Sequence, residues 1–339
     1  MKHILYAAFT FLLISNAHST VWTVSNDLNR RAQFTDFTLA HAAASINDTI
    51  YIYGSATTYS GGTLSKRLVI IGPGYNPTSS NRNNAYISIS FATGSSNSII
   101  YGLVLSAYCE AASTANNIRI TRCNLPSLTL YNSNGNWIIE NCIINSLTIS
   151  QGYTSTPLSI RNNIITGSFF GNTSNNLITI QNNLFVNTGT TFFFYSPIKR
   201  ATIKNNIFYG TNPGGADSCF FLNNLTWDIP ITSQQTIPYG SNTGTGNIII
   251  SNPLFVNVMN KSGQDFFNDF RLSTTSPAKN KGSDGTDIGP TGGASPLYTT
   301  TGPLTGMPPI PSITEMYLPV NAAPQGGNIQ LFIRGKRNN

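Results

Sequence analysis

Apolar and polar residues alternate in short runs along the middle of this chain, and the runs return at a regular interval. Five segments align: Ile120-Thr121-Arg122-Cys123, Ile139-Glu140-Asn141-Cys142, Ile160-Arg161-Asn162-Asn163, Ile180-Gln181-Asn182-Asn183 and Ile203-Lys204-Asn205-Asn206. Apolar residues follow each, such as Ile164-Ile165, Leu184-Phe185 and Ile207-Phe208. A weaker copy is Leu222-Asn223-Asn224-Leu225, and Ser251-Asn252-Pro253-Leu254 closes the series. Most steps are 18 to 23 residues, too short for helix pairs and suited to one β-coil per repeat. Period-two alternation turns Leu158, Ile160, Ile178, Ile180 and Ile203 inward, and Ser159, Thr179 and Thr202 outward. Asparagine tolerates the left-handed backbone that a sharp corner needs. Stacked one strand spacing apart, about 4.8 Å, the fourth-position residues Cys123, Cys142, Asn163, Asn183, Asn206 and Asn224 form a structural ladder. The predicted fold is all-β, a single-stranded right-handed parallel β-helix. A leucine-rich horseshoe is the nearest competitor, but its LxxLxL spacing is missing.

The two ends complete this picture. Thr35 caps a predicted short helix running through Asp36 to Ser45, after which Asp48-Thr49-Ile50-Tyr51-Ile52 resumes as strand. Such an N-terminal capping helix covers the open bottom of the solenoid, whose free edge otherwise invites aggregation. Leu68 to Tyr75 reads as a strand ending in a tight Gly72-Pro73-Gly74 turn. Farther on come Asn252-Pro253-Leu254-Phe255-Val256, Asp269-Phe270-Arg271-Leu272, Ser276-Pro277-Ala278 and Asp287-Ile288-Gly289, in that order. Together with the strand at 48–54 and the turn at 70–75, this closing order resembles that of secreted Bacteroidetes proteins of the pectin-lyase-like superfamily. Lys279-Asn280-Lys281 departs from the stretch usual in that group. The resemblance covers roughly residues 20–293 and implies the right-handed β-helix. It implies no single function, because that superfamily includes lyases, hydrolases, adhesins and inert stalks. Residues 294–311 then read as a Pro/Gly-rich linker. Residues 312–339 form a short β-like tail, too small for an independent domain.

Met1-Lys2-His3 ahead of the apolar run Ile4 to Ile14 reads as a secretory signal peptide over residues 1–19, cleaved after Ala17 or Ser19. That run is about half of the roughly 20 residues a membrane span needs, and no later segment is long enough. The expected location is extracellular or at the cell surface. Only 9% of residues are charged while 40% are apolar, so the abundant Asn, Ser, Thr and Gly serve as turn and ladder formers rather than as disorder. A net charge of +7 favours acidic partners such as an acidic polysaccharide or a cell-surface glycan. No run of Lys or Arg makes a nucleic-acid patch, so no nucleic-acid partner is expected. The sequence does not fix an oligomeric state.

Candidate chemistry is sparse. Polysaccharide hydrolysis needs two carboxylates roughly 5 to 10 Å apart. The repeat region offers Glu110, Glu140, Asp217 and Asp228, and no two share a repeat position. Glu140 is flanked in its row by Thr121 and Arg161. His3, His18 and His41 lie outside the coils, and no carboxylate or Cys/His set suggests a metal or cofactor. No catalytic residue is assigned. A basic stripe remains: Thr121, Glu140, Arg161, Gln181 and Lys204 take the outward position in order, with Lys199 and Arg200 just before the last. Arg161 and Lys204 would sit two coils, about 10 Å, apart. The stripe reads as a solvated face, as a binding surface for an acidic glycan, or as a uronate lyase groove with Tyr195 as base. A binding role makes Arg161, Lys199, Arg200, Lys204 and Tyr195 the ligand contacts. In Phe192-Phe193-Phe194-Tyr195, alternation buries two rings and exposes two, for core filling or sugar stacking. Cys123 and Cys142, in consecutive coils, lie within disulfide range but serve equally as stacked buried thiols, and Cys109 and Cys219 have no evident partner.

Overall fold

Isoleucine makes the spine of the molecule. Ile50, Ile70, Ile100, Ile120, Ile139, Ile160, Ile180 and Ile203 pair in register from strand to strand and are fully buried. A β-branched side chain suits this stack, since its χ1 is nearly fixed before folding and it packs against identical neighbours. Each buried isoleucine contributes about 1.5–3 kcal/mol relative to exposure. The computed structural model describes residues 19–76, 83–109, 114–131, 135–150, 156–187, 194–229, 236–260, 268–297, 307, 311–317 and 332–337. Over these the chain is a parallel β-solenoid of the right-handed type. A ten-stranded front sheet runs from Val21–Val24 to Phe220–Leu222, and a thirteen-stranded back sheet carries the remaining coil strands.

The corner between the sheets explains the paired asparagines. The first residue of each pair adopts the left-handed conformation: φ is 54° at Asn141 and Asn162, 53° at Asn182, 56° at Asn205 and 52° at Asn223. The second points inward and stacks. Asn163, Asn183 and Asn206 each donate through Nδ2 to the Oδ1 of the next asparagine at 3.0 Å, and to the carbonyls of Ile139, Ile160 and Ile180 at 2.9 Å. Asn224 continues the row to Asn247. The series therefore closes at Asn247 and not near Pro253, because Phe220 and Leu225 bridge to Thr243 and Ile248 in the final coil.

The stretch from 252 to 293 is the one whose order resembles the closing sequence of the pectin-lyase-like proteins. It turns back along the outside of the coils. Phe255–Asn257 and Asp269–Leu272 form an antiparallel pair. Phe270, Leu272, Ala278 and Ile288 pack with the outward row Ile143, Ile164, Leu184, Ile207 and Leu225. Each of these corner strands is consequently buried on both faces, which is why its apolar residues come as adjacent pairs rather than in alternation. The first asparagines hold this strap by its backbone. Asn162 donates to the carbonyls of Pro290 and Gly292, Asn182 to those of Asp287 and Gly289, Asn141 to Ser295 and Asn223 to Lys281. Asn205 accepts from the Ser283 N–H. Gly289, at φ +90°, is needed for this approach, since a Cβ there would stand 2.5 Å from Ile207 Cδ1. Part of the expected linker belongs to the strap, as Leu297 packs with the same cluster.

A helix spans Phe37–Ala43, with Phe37 and Ala40 in the main core. Asp36, rather than Thr35, is its N-cap, and its carboxylate accepts from the Leu39 N–H at 2.9 Å. Lys66 Nζ satisfies the other end, donating to the carbonyls of His41, Ala42 and Ala44. In the tail, Pro311–Tyr317 pairs antiparallel with Phe332–Arg337. Residues 1–18, which include most of the expected signal peptide, lie outside the described residues. Among the described residues no helix is long and apolar enough to cross a membrane.

Candidate functional site

The outer face of the front sheet carries two rows of side chains. One row reads Tyr51, Ile71, Tyr101, Thr121, Glu140, Arg161, Gln181, Lys204 and Leu222 in strand register. The second includes Val69, Ile99, Arg119, Ile138, Ser159, Thr179 and Thr202. Aromatic and aliphatic residues thus crowd the N-terminal half, charge occupies the middle, and hydroxyls, Gln181 and Lys204 follow.

At the centre is Glu140, whose side chain is 1% exposed although it faces outward. Two arginines bury it. Arg119 Nε lies 2.6 Å from Oε1, and its Nη2 also contacts that oxygen. From the other side, Arg161 places Nε and Nη2 each 2.8 Å from Oε2. A carboxylate taken out of water needs such pairing. Arg122, at the adjacent corner, also feels the Glu140 charge. Burial lowers its guanidinium pKa, opposed by Tyr75, Tyr101 and Glu140 nearby. One carboxylate therefore holds two guanidinium groups, with Arg122 at the adjacent corner, leaving net positive charge on the sheet. Arg119 stays 42% exposed and Arg161 25%, so both guanidinium groups retain faces open to a ligand.

The basic residues singled out from the sequence do not converge. Arg161 and Lys204 lie on the front sheet, separated by Gln181. Lys199 lies on the back-sheet strand Phe194–Lys199, where its Nζ is 3.1 Å from Asp217. The Asp217 carboxylate is held down to about 2 by hydrogen bonds from Ser241, Lys199 and Ser218. Arg200 is exposed in the turn leading back to the front sheet, at φ 63°. Tyr195 is part of the same back strand, but its side chain lies outside the described residues, as do Phe192, Phe193 and Glu110. Phe194 points inward, edge-on to Phe169 at 5.3 Å. A lyase groove built from all five contacts would need them on one surface, and the coil carries them to two sheets and a turn. Arg119 escapes the repeat pattern because it lies two residues before the outward slot at Thr121, in the second row of the same face and diagonal to Glu140.

Cys123 and Cys142 occupy the ladder as free thiols. Cys142 Sγ accepts from the Cys123 N–H at 3.4 Å, and the Cys142 N–H donates to Asn163 Oδ1 at 2.9 Å, so the thiols continue the asparagine row downward. Burial pushes the Cys142 thiol well up, and that of Cys219 to about 11. Both are therefore poor nucleophiles. Among the described residues no group of three or more His, Cys, Asp or Glu could hold a metal ion. Neither the protein-family models nor the curated proteins match this chain, so the site rests on its own geometry.

Proposed function

We propose that this is an exported, non-catalytic β-helix protein that binds an acidic glycan along the outer face of its front sheet. One observation carries the reading: buried Glu140 fixes Arg119 and Arg161 side by side in rows that continue to Lys204 two coils on. Two coils rise about 10 Å, a spacing suited to charges on successive parts of a uronate chain. Holding the guanidinium groups in place before binding reduces the ordering cost of contact. Tyr51 and Tyr101, in the same row, offer ring faces to sugars. The pattern of export signal, paired asparagines and closing sequence supports membership of the pectin-lyase-like superfamily and a place at the cell surface. The helix Phe37–Ala43 serves as cover for the first coil, since Phe37 and Ala40 sit in the core beneath it.

The test is direct. Mature protein from Thr20 onward is titrated with polygalacturonate while absorbance near 235 nm is followed for unsaturated products. Binding that weakens with salt, falls about tenfold in the Arg161→Ala/Lys204→Ala double variant and releases no product supports the reading. Product formation would make the protein a lyase. Undiminished binding by the double variant would move the ligand off this face.

A further inference from the structure

The strap's anchors run in one direction. From the last corners towards the middle, Asn223, Asn205, Asn182, Asn162 and Asn141 engage progressively later strap residues, from Lys281 to Ser295. The final anchor differs in kind. Arg122 stands at the corner position where the following coils carry asparagine, keeps the same left-handed backbone at φ 54°, and reaches the Met307 carbonyl with Nη1 at 2.9 Å. Arg122 also neighbours Thr121 in the outward row and feels the Glu140 charge. It joins the end of the strap to the charged centre of the front face.

The tail hairpin begins four residues beyond Met307. Four extended residues span at most about 14 Å, so its first strand starts within that distance of Met307, which the tip of the Arg122 side chain holds. The hairpin's two strands are unequally charged. Phe332–Arg337 contains Arg334, Lys336 and Arg337, with Arg334 exposed, whereas Pro311–Tyr317 contains Glu315 alone. The strand pair therefore carries two net positive charges, and so do Arg119 and Arg161 with Glu140 together with Arg122 at the adjacent corner. Delivered to the same place, the hairpin doubles the local excess. An exposed charge such as Arg334 acts mainly through salt-sensitive attraction and faster encounter.

We propose that the strap delivers the C-terminal hairpin to the margin of the front face, where its basic strand and the Arg119–Glu140–Arg161 group form one surface for a uronate-rich polyanion. This rests on the front face being the glycan site and adds a second arm to it. Arg122 is a positioning residue for that arm.

The experiment compares retention on immobilised polygalacturonate for the mature chain, a chain ending at Met307, a Lys336→Glu/Arg337→Glu variant, an Arg122→Asn variant and Arg161→Ala/Lys204→Ala. Thermal melting of each is measured alongside. The truncated and charge-reversed chains should melt within about 3 °C of the parent, since the core is untouched. Their affinity should fall about tenfold, with a shallower dependence on salt. Arg122→Asn, which restores the residue type of the other corners, should lose about threefold because the arm is present but no longer held. If truncation fails to fold, the charge-reversed variant carries the test. Full retention by the truncated or reversed chain, with loss in the Arg161→Ala/Lys204→Ala variant, would remove the second arm and leave the front-face reading intact. Unchanged retention by Arg122→Asn would overturn delivery through that corner. No retention of the mature chain would overturn both readings.

Discussion

Two rows of asparagine run side by side along one corner of the solenoid, one residue apart in sequence and opposite in role. The inner row, Asn163, Asn183, Asn206 and Asn224, is fully buried and satisfied from coil to coil. The outer row, Asn141, Asn162, Asn182, Asn205 and Asn223, turns the chain through its left-handed backbone and spends its side chains on a segment far away in sequence. The difference teaches that residue type alone did not assign these jobs. Backbone conformation did: the left-handed residue projects outward at the corner, and the next one projects into the stack. The inner row makes the repeat, and the outer row makes the repeat usable as an anchor for something else.

Breaking the inner row should cost most. Asn183→Ala removes the acceptor of the Asn163 N–H and Nδ2 and the donor to Ile160 and Asn206. Unsatisfied buried groups make the expected loss about 3 kcal/mol, read from denaturant midpoints at constant slope. Lifting the strap is the next largest change. Gly289→Ala forces a Cβ against Ile207 in a left-handed backbone and should cost about 2 kcal/mol, with new protease cleavage confined to 278–297. A cost equal to that of Asn183→Ala would mean the strap is as integral as the ladder. Within the outer row, Asn182→Ala should lose about 1–2 kcal/mol and Asn182→Gly distinctly less, since glycine restores the left-handed backbone while both lose the carbonyl contacts. Equal losses in thermal melts would assign the whole effect to the clasp and none to the turn.

Neither row titrates, so pH dependence must arise elsewhere, and the smallest effect concerns His41. Its Nε2 accepts from the Ser65 N–H at 3.1 Å, and burial, with Lys66 nearby, holds its pKa below the ordinary 6.5. In that window the unfolded chain binds more protons than the folded one, so stability rises with pH. The contribution is complete above about pH 6.5 and declines as pH falls below it towards the folded value. Faster amide exchange at Ser65 below that pH, after correction for intrinsic rates, with the asparagine corner unchanged, is the expected result.

Much of this was legible in the sequence, for local reasons. The coil length, the inward isoleucines, the ladder position from Cys123 to Asn224 and the neighbours of Glu140 all follow from a period repeated at short range. The partners of the outer asparagines were not legible. They lie more than 100 residues from Asn141, Asn162 and Asn182, on a Gly- and Pro-rich segment with no period of its own. One signal was present: Ile143-Ile144 and Ile164-Ile165 break the alternation, and two apolar neighbours in a strand mean both faces are covered. Arg119 escaped because it reaches Glu140 diagonally, from another row and another coil. The charge of Arg161 was legible, but its capture by Glu140 depends on side-chain reach, which the repeat does not encode.

The central claim, that the front face is the ligand face, is tested most directly by mapping hydrogen exchange with and without saturating polygalacturonate. Protection concentrated on Arg119–Thr121, Trp137–Glu140, Leu158–Arg161 and Thr202–Lys204, with the strap at 278–297 unchanged, is the predicted result. Protection on the strap face, with those front strands exchanging as before, would contradict it.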